Sequence, residues 1–310
     1  MMIYEQKNKD GHGLKWVHLH SPTKEELKIV GDRYEVPDDY LTAVLDPYEI
    51  ARVENLKKYD QPAPTLILLE YILPAQNYYH NTEFSTRPFA IILVDNIIIT
   101  LTMELTDFLD TLFNDLFYSN LTPLPVEEII ANILWQTERF CVSTIKTIFT
   151  EIKDLQKDII KSSSNRELYR LMTIERSLIS IQTTINNNLS VIEQLLKLPH
   201  FDSGASDQLN LNDVYVESLQ AESMVQEALL MTDRLSDIIS NVISNNLNNI
   251  MKVLTSITII LTIPTIIAGI WGMNVPVPWG KNPYGFLILI LLNVILMIIT
   301  LLWLKNKDLL

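Results

Sequence analysis

The sequence predicts an α+β domain followed by a long helical hairpin, a stalk helix and two C-terminal transmembrane helices. Apolar, β-rich runs with a hairpin signal occur in about the first 125 residues. Residues 212–263 contain neither Gly nor Pro, which is typical of one uninterrupted helix. Segments 253–271 and 285–304 carry no charge, and each is long enough to cross the roughly 30 Å hydrocarbon core of a bilayer.

The composition argues against several classes of function. The 310 residues carry a formal net charge of −13 without a basic, aromatic-interleaved stripe, which disfavours nucleic acid and suits divalent cations. Cys141 is the only cysteine, so no intrachain disulfide can form and a reducing compartment is expected. No Gly-rich phosphate loop, nucleophile elbow or His-Glu-x-x-His helix occurs, so we do not expect an enzyme.

The first regular elements are a strand and a capped helix. Residues 16–20 alternate as a half-buried strand does, with His18 and His20 on one face. Because no third metal ligand lies nearby in the sequence, ordinary strand positions explain these histidines better than a metal site. Thr23, followed three residues later by Glu26, predicts a helix start with a capping box.

Further strands and a short helix complete the N-terminal cytosolic domain, which we place at residues 1–125. The short helix is expected just after Pro37. Asp95 and Asn96 suit a tight hairpin turn between the last two of three apolar runs, which are residues 65–73, 89–94 and 97–101.

From residue 126 the pattern is helical. It predicts an antiparallel hairpin over 126–203 and a stalk helix over 204–252 that enters the membrane. An intrachain packing face would account for the apolar seam of the stalk, but we favour a bundle of identical helices because this helix continues into the bilayer. The seam has the spacing 4, 3, 4, 3, 4 and comprises Met224, Ala228, Met231, Leu235, Ile238 and Val242.

The two spans return the chain to the side that it left. No apolar signal-peptide core is present near residue 1, so both termini are expected in the cytosol and the protein in the cell (plasma or inner) membrane. Lys252, Lys305 and Lys307 flank the spans on that side, against Lys281 in the loop. The expected order is a first span at 253–271, an external loop at 272–284, a second span at 285–304 and a tail at 305–310.

A stripe of small and hydroxyl residues follows one side of the first span. At 100° per residue its members fall within a sector of about 80°. Thr and Gly are also common at tight helix contacts in membranes, so helix packing is the competing interpretation. We favour pore lining because the stripe leads to the amide of Asn274; its members are Thr255, Thr258, Thr262, Thr265 and Gly269.

Two spans per chain cannot enclose a pore, so conduction requires a homo-oligomer with first spans inside and second spans outside. Asn293 is the one strongly polar residue of the second span, and we expect it to bond a neighbouring helix. Neither span has an ionisable group, so selection would act through dipoles on a hydrated ion, which suits Mg²⁺.

Residues 251–255, Met-Lys-Val-Leu-Thr, and 264–274, Pro-Thr-Ile-Ile-Ala-Gly-Ile-Trp-Gly-Met-Asn, resemble the signature of the CorA-type divalent cation transporters. The similarity is strongest over about the last 100 residues. It implies a funnel-shaped homopentamer in membrane lipid that takes up Mg²⁺, with Mg²⁺ as both cargo and regulatory ligand.

The resemblance also implies roles for individual residues. Asn274 would form an outer ring around a hydrated cation, with Gly272 and Met273 setting its backbone. Thr265, Thr262 and Thr258 would line the pore, Met251 and Leu254 would form a hydrophobic gate, and Asn248 would form a lower polar ring.

A regulatory Mg²⁺ between subunits is implied at Asp213, with Asp60 of the neighbouring copy as the candidate second carboxylate. Asp213 has a competing role, since a negative charge stabilises a helix N-terminus.

Two positions depart from the family pattern, and other functions stay open. Trp271 stands where Tyr is usual, and loop 275–284 has no acidic residue but contains Lys281.

Co²⁺ or Ni²⁺ uptake and Zn²⁺ transport are alternatives, although the pore has no Cys or His to favour softer metals. A membrane-anchored coiled-coil scaffold is the alternative of another class, and the polar stripe argues against it.

Overall fold

The computed structural model describes residues 2–5, 15–56, 63–76, 82–104, 111, 125–161, 165–198, 210–276, 278 and 283–307. The chain divides into two compact units, Met1–Ser236 and Asp237–Leu310.

A six-stranded mixed sheet forms the first unit's N-terminal part. The strands are β1 (Met2–Glu5), β2 (Lys15–His20), β3 (Arg52–Glu54), β4 (Thr65–Gln76), β5 (Thr82–Val94) and β6 (Ile97–Thr102), in the spatial order β1-β2-β6-β5-β4-β3. β2 and β6 pair in parallel, and the other neighbours are antiparallel. The three predicted strands are confirmed, and Asp95 takes the positive φ of 49° that a tight turn requires.

β5 starts at Thr82, earlier than the predicted residue 89. Its first half carries polar side chains and lies partly exposed, so hydrophobicity gives no signal there. Residues 82–88 nevertheless pair with the end of β4, from Gln76↔Thr82 to Glu70↔Pro88. Backbone pairing rather than side-chain burial therefore extends this strand.

β2 is buried on both faces, so the prediction of a half-buried strand was wrong. Trp16, Val17, His18 and Leu19 are each at most 4% exposed. Trp16 belongs to the core between the sheet and the long helices, whereas Val17 and Leu19 belong to the core under the short helices. Both faces are covered because the long helices pack on one face of the sheet and the short helices pack on the other.

The short helices are α1 (Lys24–Tyr34) and α2 (Asp38–Thr42). The predicted capping box is confirmed: Glu26 N–H donates to Thr23 Oγ1 at 3.3 Å, and Thr23 N–H donates to Glu26 Oε2 at 2.9 Å. α1 and α2 bury Leu27, Val30 and Leu41 against one face of the sheet.

The predicted helical hairpin consists of α3 (Val126–Lys161) and α4 (Asn165–Leu195). Arg170 donates to Asp158 Oδ2 at 2.8 Å, which ties the two helices together near their turn. Buried residues of both helices, including Ile130 and Ile192, form one core with the sheet and the start of the next helix.

α5 is a single helix over Leu211–Trp271, as the absence of Gly and Pro over most of its length predicts. Its buried face in the first unit has heptad spacing but not the predicted register. Ala228 and Leu235 belong to it, whereas Met224 and Met231 are half-buried and flank it. The full set is Leu211, Val214, Ser218, Ala221, Val225, Ala228, Thr232 and Leu235.

α5 and α6 (Gly285–Asn306) are long and apolar enough to cross a membrane, and only 6% of each apolar window is buried. A soluble protein would bury such windows in its core. The second unit therefore contains two helices that fit membrane spans by length and composition.

Candidate ion pathway

One face of α5 packs on α6 within the second unit. Ser256 of α5 and Leu304 of α6 are almost fully buried, at 1% and 0% exposure. A groove of about 400 Å³ lies between Leu304 and residues of α5 from Asn245 to Ile259, so the two helices are in contact at this end of the spans. The other half-buried residues of this face of α5 are Ile260, Ile263, Pro264, Ile267 and Trp271.

The predicted polar stripe lies on the other side of α5. At 100° per residue its mean direction is roughly 170° from that of the α6-packed face. Every member is exposed, namely Thr255, Thr258, Thr262, Thr265 and Gly269. Thr255 also borders the groove beside Leu304. The other four members lie away from that groove, and they are available to water, lipid or another helix.

The threonine hydroxyls of the stripe are oriented by their own helix. Thr258 donates to Leu254 O at 2.8 Å, Thr262 to Thr258 O at 2.7 Å, and Thr265 to Leu261 O at 2.9 Å. Because each hydroxyl proton is used in the helix, only the oxygen lone pairs remain for further partners. The stripe is thus a wall of acceptors, which suits a cation or the protons of its hydration shell.

The same face continues towards the N-terminal end of the span. Asn248, Met251 and Leu254 are exposed, the latter two at 57% and 56%. Together with the stripe they occupy a sector of about 120°. A Met and a Leu left this open in one chain have the character of a hydrophobic contact completed by something outside the chain.

Gly272-Met273-Asn274 follows the last residue of α5 as a tight turn. Gly272 N–H donates to Ala268 O at 2.9 Å, and Met273 N–H donates to Ile270 O at 3.3 Å. A Cβ at Gly272 would lie 3.2 Å from Ala268 O, so the close backbone approach favours glycine. Asn274 is exposed, and its amide has no hydrogen-bond partner among the residues that the structure describes.

Within the described part of the chain, Asn293 bonds its own helix, and its expected bond to a neighbouring helix stays a prediction. Its Nδ2 donates to Leu289 O of its own helix at 3.2 Å. Its Oδ1 is buried without a partner in the described part of the chain. Asn293 is half-buried, and its amide caps the backbone carbonyl one turn earlier in α6.

Asp213 caps the start of α5. Asn210 N–H approaches Asp213 Oδ2 at 3.4 Å, and Asp213 N–H donates to Asn210 O at 2.9 Å. The predicted partner, Asp60, lies outside the described residues. Within the ranges that are described, no three His, Cys, Asp or Glu side chains gather as a metal site.

The contact face between α5 and α6 was not predicted from the sequence. Its members at the two ends, Ser256 and Gly285, are small and nearly or fully buried. Ser256, at helical spacing from the half-buried apolar residues of α5, could have indicated this face. The whole segment is apolar, however, so its hydrophobicity does not vary with a helical period.

The chain is similar to CorA proteins over almost its whole length. The family model described as "CorA-like Mg2+ transporter protein" matches residues 11–306. The cobalt/magnesium transport protein CorA of Methanocaldococcus jannaschii is 23% identical over 297 residues, which are 93% of this chain and 89% of the relative. The magnesium transport protein CorA of Helicobacter pylori is 23% identical over 94% of this chain and 90% of the relative.

The fold also matches. The complete structure of the CorA magnesium transporter from M. jannaschii superposes with a TM-score of 0.78 at 21% identity, covering 97% of this chain and 96% of the other. At this identity the superposition establishes the fold, including the two C-terminal helices.

Proposed function

This chain belongs to the CorA-like Mg²⁺ transporter family, and on that basis we propose that it moves hydrated Mg²⁺ across a cell membrane through a pore formed by several copies of α5. The observation that carries the proposal is the pair of opposite faces on α5. One face packs on α6, and the other presents outward-facing hydroxyl oxygens.

Several copies arranged with their stripes inward would line a path with acceptor oxygens. A single chain cannot enclose such a path, so the pore is a homo-oligomer, which we propose to be a pentamer on the basis of the family resemblance. α6 then forms the lipid-facing outer ring, which fits its almost entirely Ile and Leu surface.

The stripe contains no ionisable group, so it would bind the ion through its water rather than by replacing that water. Mg²⁺ gives up its hydration shell reluctantly and suits this mode. Asn274 supplies a free amide at the end of the stripe, and we propose it as the outer ring, held in place by the turn at Gly272 and Met273.

Gating is proposed at two places. Met251 and Leu254 would close the pore by excluding water, with Asn248 forming a polar ring beside them. Mg²⁺ bound at Asp213, with a carboxylate such as Asp60 of the next copy, would hold the closed state. These roles go with a cytosolic first unit, both termini in the cytosol and a transporter that is not an enzyme.

The preferred cargo is Mg²⁺, and Co²⁺ is the next ion in preference. The M. jannaschii relative is described as a cobalt/magnesium transport protein. The hydroxyl and amide oxygens on the proposed pore face are hard ligands, which favour Mg²⁺. Competition between Mg²⁺, Co²⁺ and Zn²⁺ in one vesicle flux assay would rank the ions.

A pair of matched threonines tests the proposal. Thr262 and Thr300 both donate to the carbonyl four residues earlier, but Thr262 lies on the exposed face of α5 and Thr300 lies half-buried on α6. In sealed vesicles that contain the full chain, Thr262→Val should lower Mg²⁺ influx roughly two- to tenfold, the ratio that corresponds to one net hydrogen bond. Thr300→Val should leave influx unchanged. Equal effects, or none, would contradict pore lining by the stripe.

A further inference from the structure

Glu138 is a carboxyl group that is fully buried in the first unit. Its side chain in α3 is 0% exposed, and neither oxygen has a partner in the described part of the chain. Glu70, a buried carboxyl group on β4, has partners for one oxygen, whereas its Oε2 has none among the described residues. Glu70 Oε1 accepts from Asn187 Nδ2 at 2.7 Å and from Ala51 N–H at 3.4 Å.

Glu138 lies where three long helices meet. Asn188 of α4 and Ser218 of α5 approach it and favour its ionised form. Their short bonds go elsewhere: Asn188 Nδ2 donates to Glu70 O at 2.8 Å, and Ser218 Oγ donates to Val214 O at 3.0 Å. One N–H of Asn188 Nδ2 is left for Glu138, so the junction compensates a buried negative charge only in part.

The titratable groups around the junction make the charge less favourable still. Burial raises the pKa of Glu138 to about 8, and the carboxylate of Glu217 on α5 raises it as well. On α3 itself, burial and then the charge of Glu138 raise the pKa of the Cys141 thiol. Behind Asn188, on β4, the pKa of Glu70 is also raised, chiefly by burial. Arg139, the next residue of α3, is instead exposed in a groove beside Glu217.

We propose that Glu138 is a proton-linked switch on the contact between α3 and α5. The neutral acid is compatible with the closed junction, whereas the carboxylate requires water and therefore separates α5 from α3. This inference deepens the proposed function, because α5 continues without a break from Ser218 to the threonine stripe. A shift at the junction thus acts on the helix that lines the pore.

The stability of the full-length protein in detergent gives the first test, and it does not depend on transport. A carboxyl group whose pKa is higher in the folded state stabilises the fold below its unfolded pKa, and this contribution is lost as the pH rises through the folded pKa. Relative to Glu138→Gln, the folding equilibrium constant of the wild type should fall about tenfold per pH unit between about pH 5 and pH 8 and level off above.

A matched substitution on an exposed carboxyl group controls for the change in net charge. Glu227 on α5 is exposed, so Glu227→Gln should retain the wild-type pH dependence of stability. If the wild type and Glu138→Gln show the same pH dependence, Glu138 is not proton-linked and the switch is refuted.

Infrared spectroscopy covers the case in which Glu138→Gln fails to fold. The wild type should show the carbonyl band of a neutral carboxylic acid that disappears near about pH 8. Glu217→Gln keeps Glu138 but removes a neighbouring negative charge, so the band should disappear at lower pH. Absence of such a band, or a midpoint unaffected by Glu217→Gln, overturns the assignment.

Flux separates this inference from the proposed function. In vesicles the wild type should change its Mg²⁺ influx between about pH 7 and pH 9, and Glu138→Gln should remove that change. If both proteins carry Mg²⁺ with the same pH dependence, the switch fails while the pore stands. If neither carries Mg²⁺, the proposed function fails, and the stability comparison still decides whether Glu138 is proton-linked.

Discussion

The two halves of the continuous helix α5 differ in how much of their apolar surface the same chain buries. Over residues 211–236 one side chain in every three or four is buried, and together these residues make a complete intrachain face. Over residues 237–271 only Ile239 and Ser256 are buried, although the segment is far more apolar. The first half is therefore satisfied by its own chain, whereas the second requires lipid and further copies.

The first prediction concerns residues 211–236, the half of α5 that its own chain buries. Leu235 is 4% exposed, so Leu235→Ala should lower the free energy of unfolding by about 2–5 kcal/mol, the usual result of leaving a cavity. Leu230, on the same half but 58% exposed, is the control, and Leu230→Ala should cost well under about 1 kcal/mol. Denaturant unfolding in detergent measures both; similar losses would mean that the buried face is not the one described.

The second prediction is that acid destabilises the first unit but not the two spans. Burial lowers the pKa of His18 to about 4, and Trp16 N–H and His18 Nδ1 share the hydroxyl of Thr100 at 2.9 Å. A histidine that is harder to protonate when folded favours folding above its ordinary pKa, and this contribution is lost as the pH falls. The first unit should lose on the order of 3 kcal/mol between about pH 6.5 and pH 4.

Substitution of His18 by Gln should flatten this acid dependence. The two spans contain no ionisable residue, so far-UV circular dichroism should show that their helices persist in acid while near-UV signals of the sheet are lost. A His18→Gln protein with the full wild-type acid sensitivity would assign that sensitivity to other groups.

The third prediction concerns Asn274, just beyond the apolar half of α5. Asn274→Ala removes the free amide beyond the stripe and should lower Mg²⁺ influx on the order of tenfold, which corresponds to about 1.4 kcal/mol. Asn306, exposed at the opposite end of the second span, is the control, and its substitution by Ala should leave influx intact. Influx that survives Asn274→Ala would remove the outer-ring role while leaving the stripe untouched.

The smallest expected effect is at the start of α5. Asn210 Oδ1 accepts from Asn212 N–H at 3.1 Å, so Asn210→Ala should cost about 1 kcal/mol of unfolding free energy. Asp213→Asn should cost less, because an amide oxygen still accepts at that position. If Asp213→Asn instead relieves inhibition by internal Mg²⁺ without affecting stability, the regulatory role of Asp213 gains support over helix capping.

Sequence patterns located most elements because these signals are local. The capping box at Thr23 and Glu26, the turn at Asp95 and the uninterrupted α5 all depend on residues close together in the chain. The seam of α5 was harder, since two heptad registers share Ala228 and Leu235, and only the neighbouring helices select between them. The expected bundle of identical helices remains a prediction.

The candidate site divides in the same way. Thr258, Thr262 and Thr265 could be placed on one face from their spacing alone, and Asn274 from its position after the span. Their hydroxyl orientation and their position opposite α6 required the structure. Glu138 gave no signal at all, because a single Glu in an amphipathic helix looks like any solvated charge.

The sequence by itself determined which segments are apolar enough to enter a membrane, which residues share a face of α5, and which family the chain resembles. These properties follow from composition and from the fixed rotation of a helix. The tertiary structure alone decided which face each helix turns to its neighbour, that β2 is covered on both sides, and that Glu138 is sealed between three helices. Burial is a property of what comes to lie beside a residue, and residues distant in the chain supply it here.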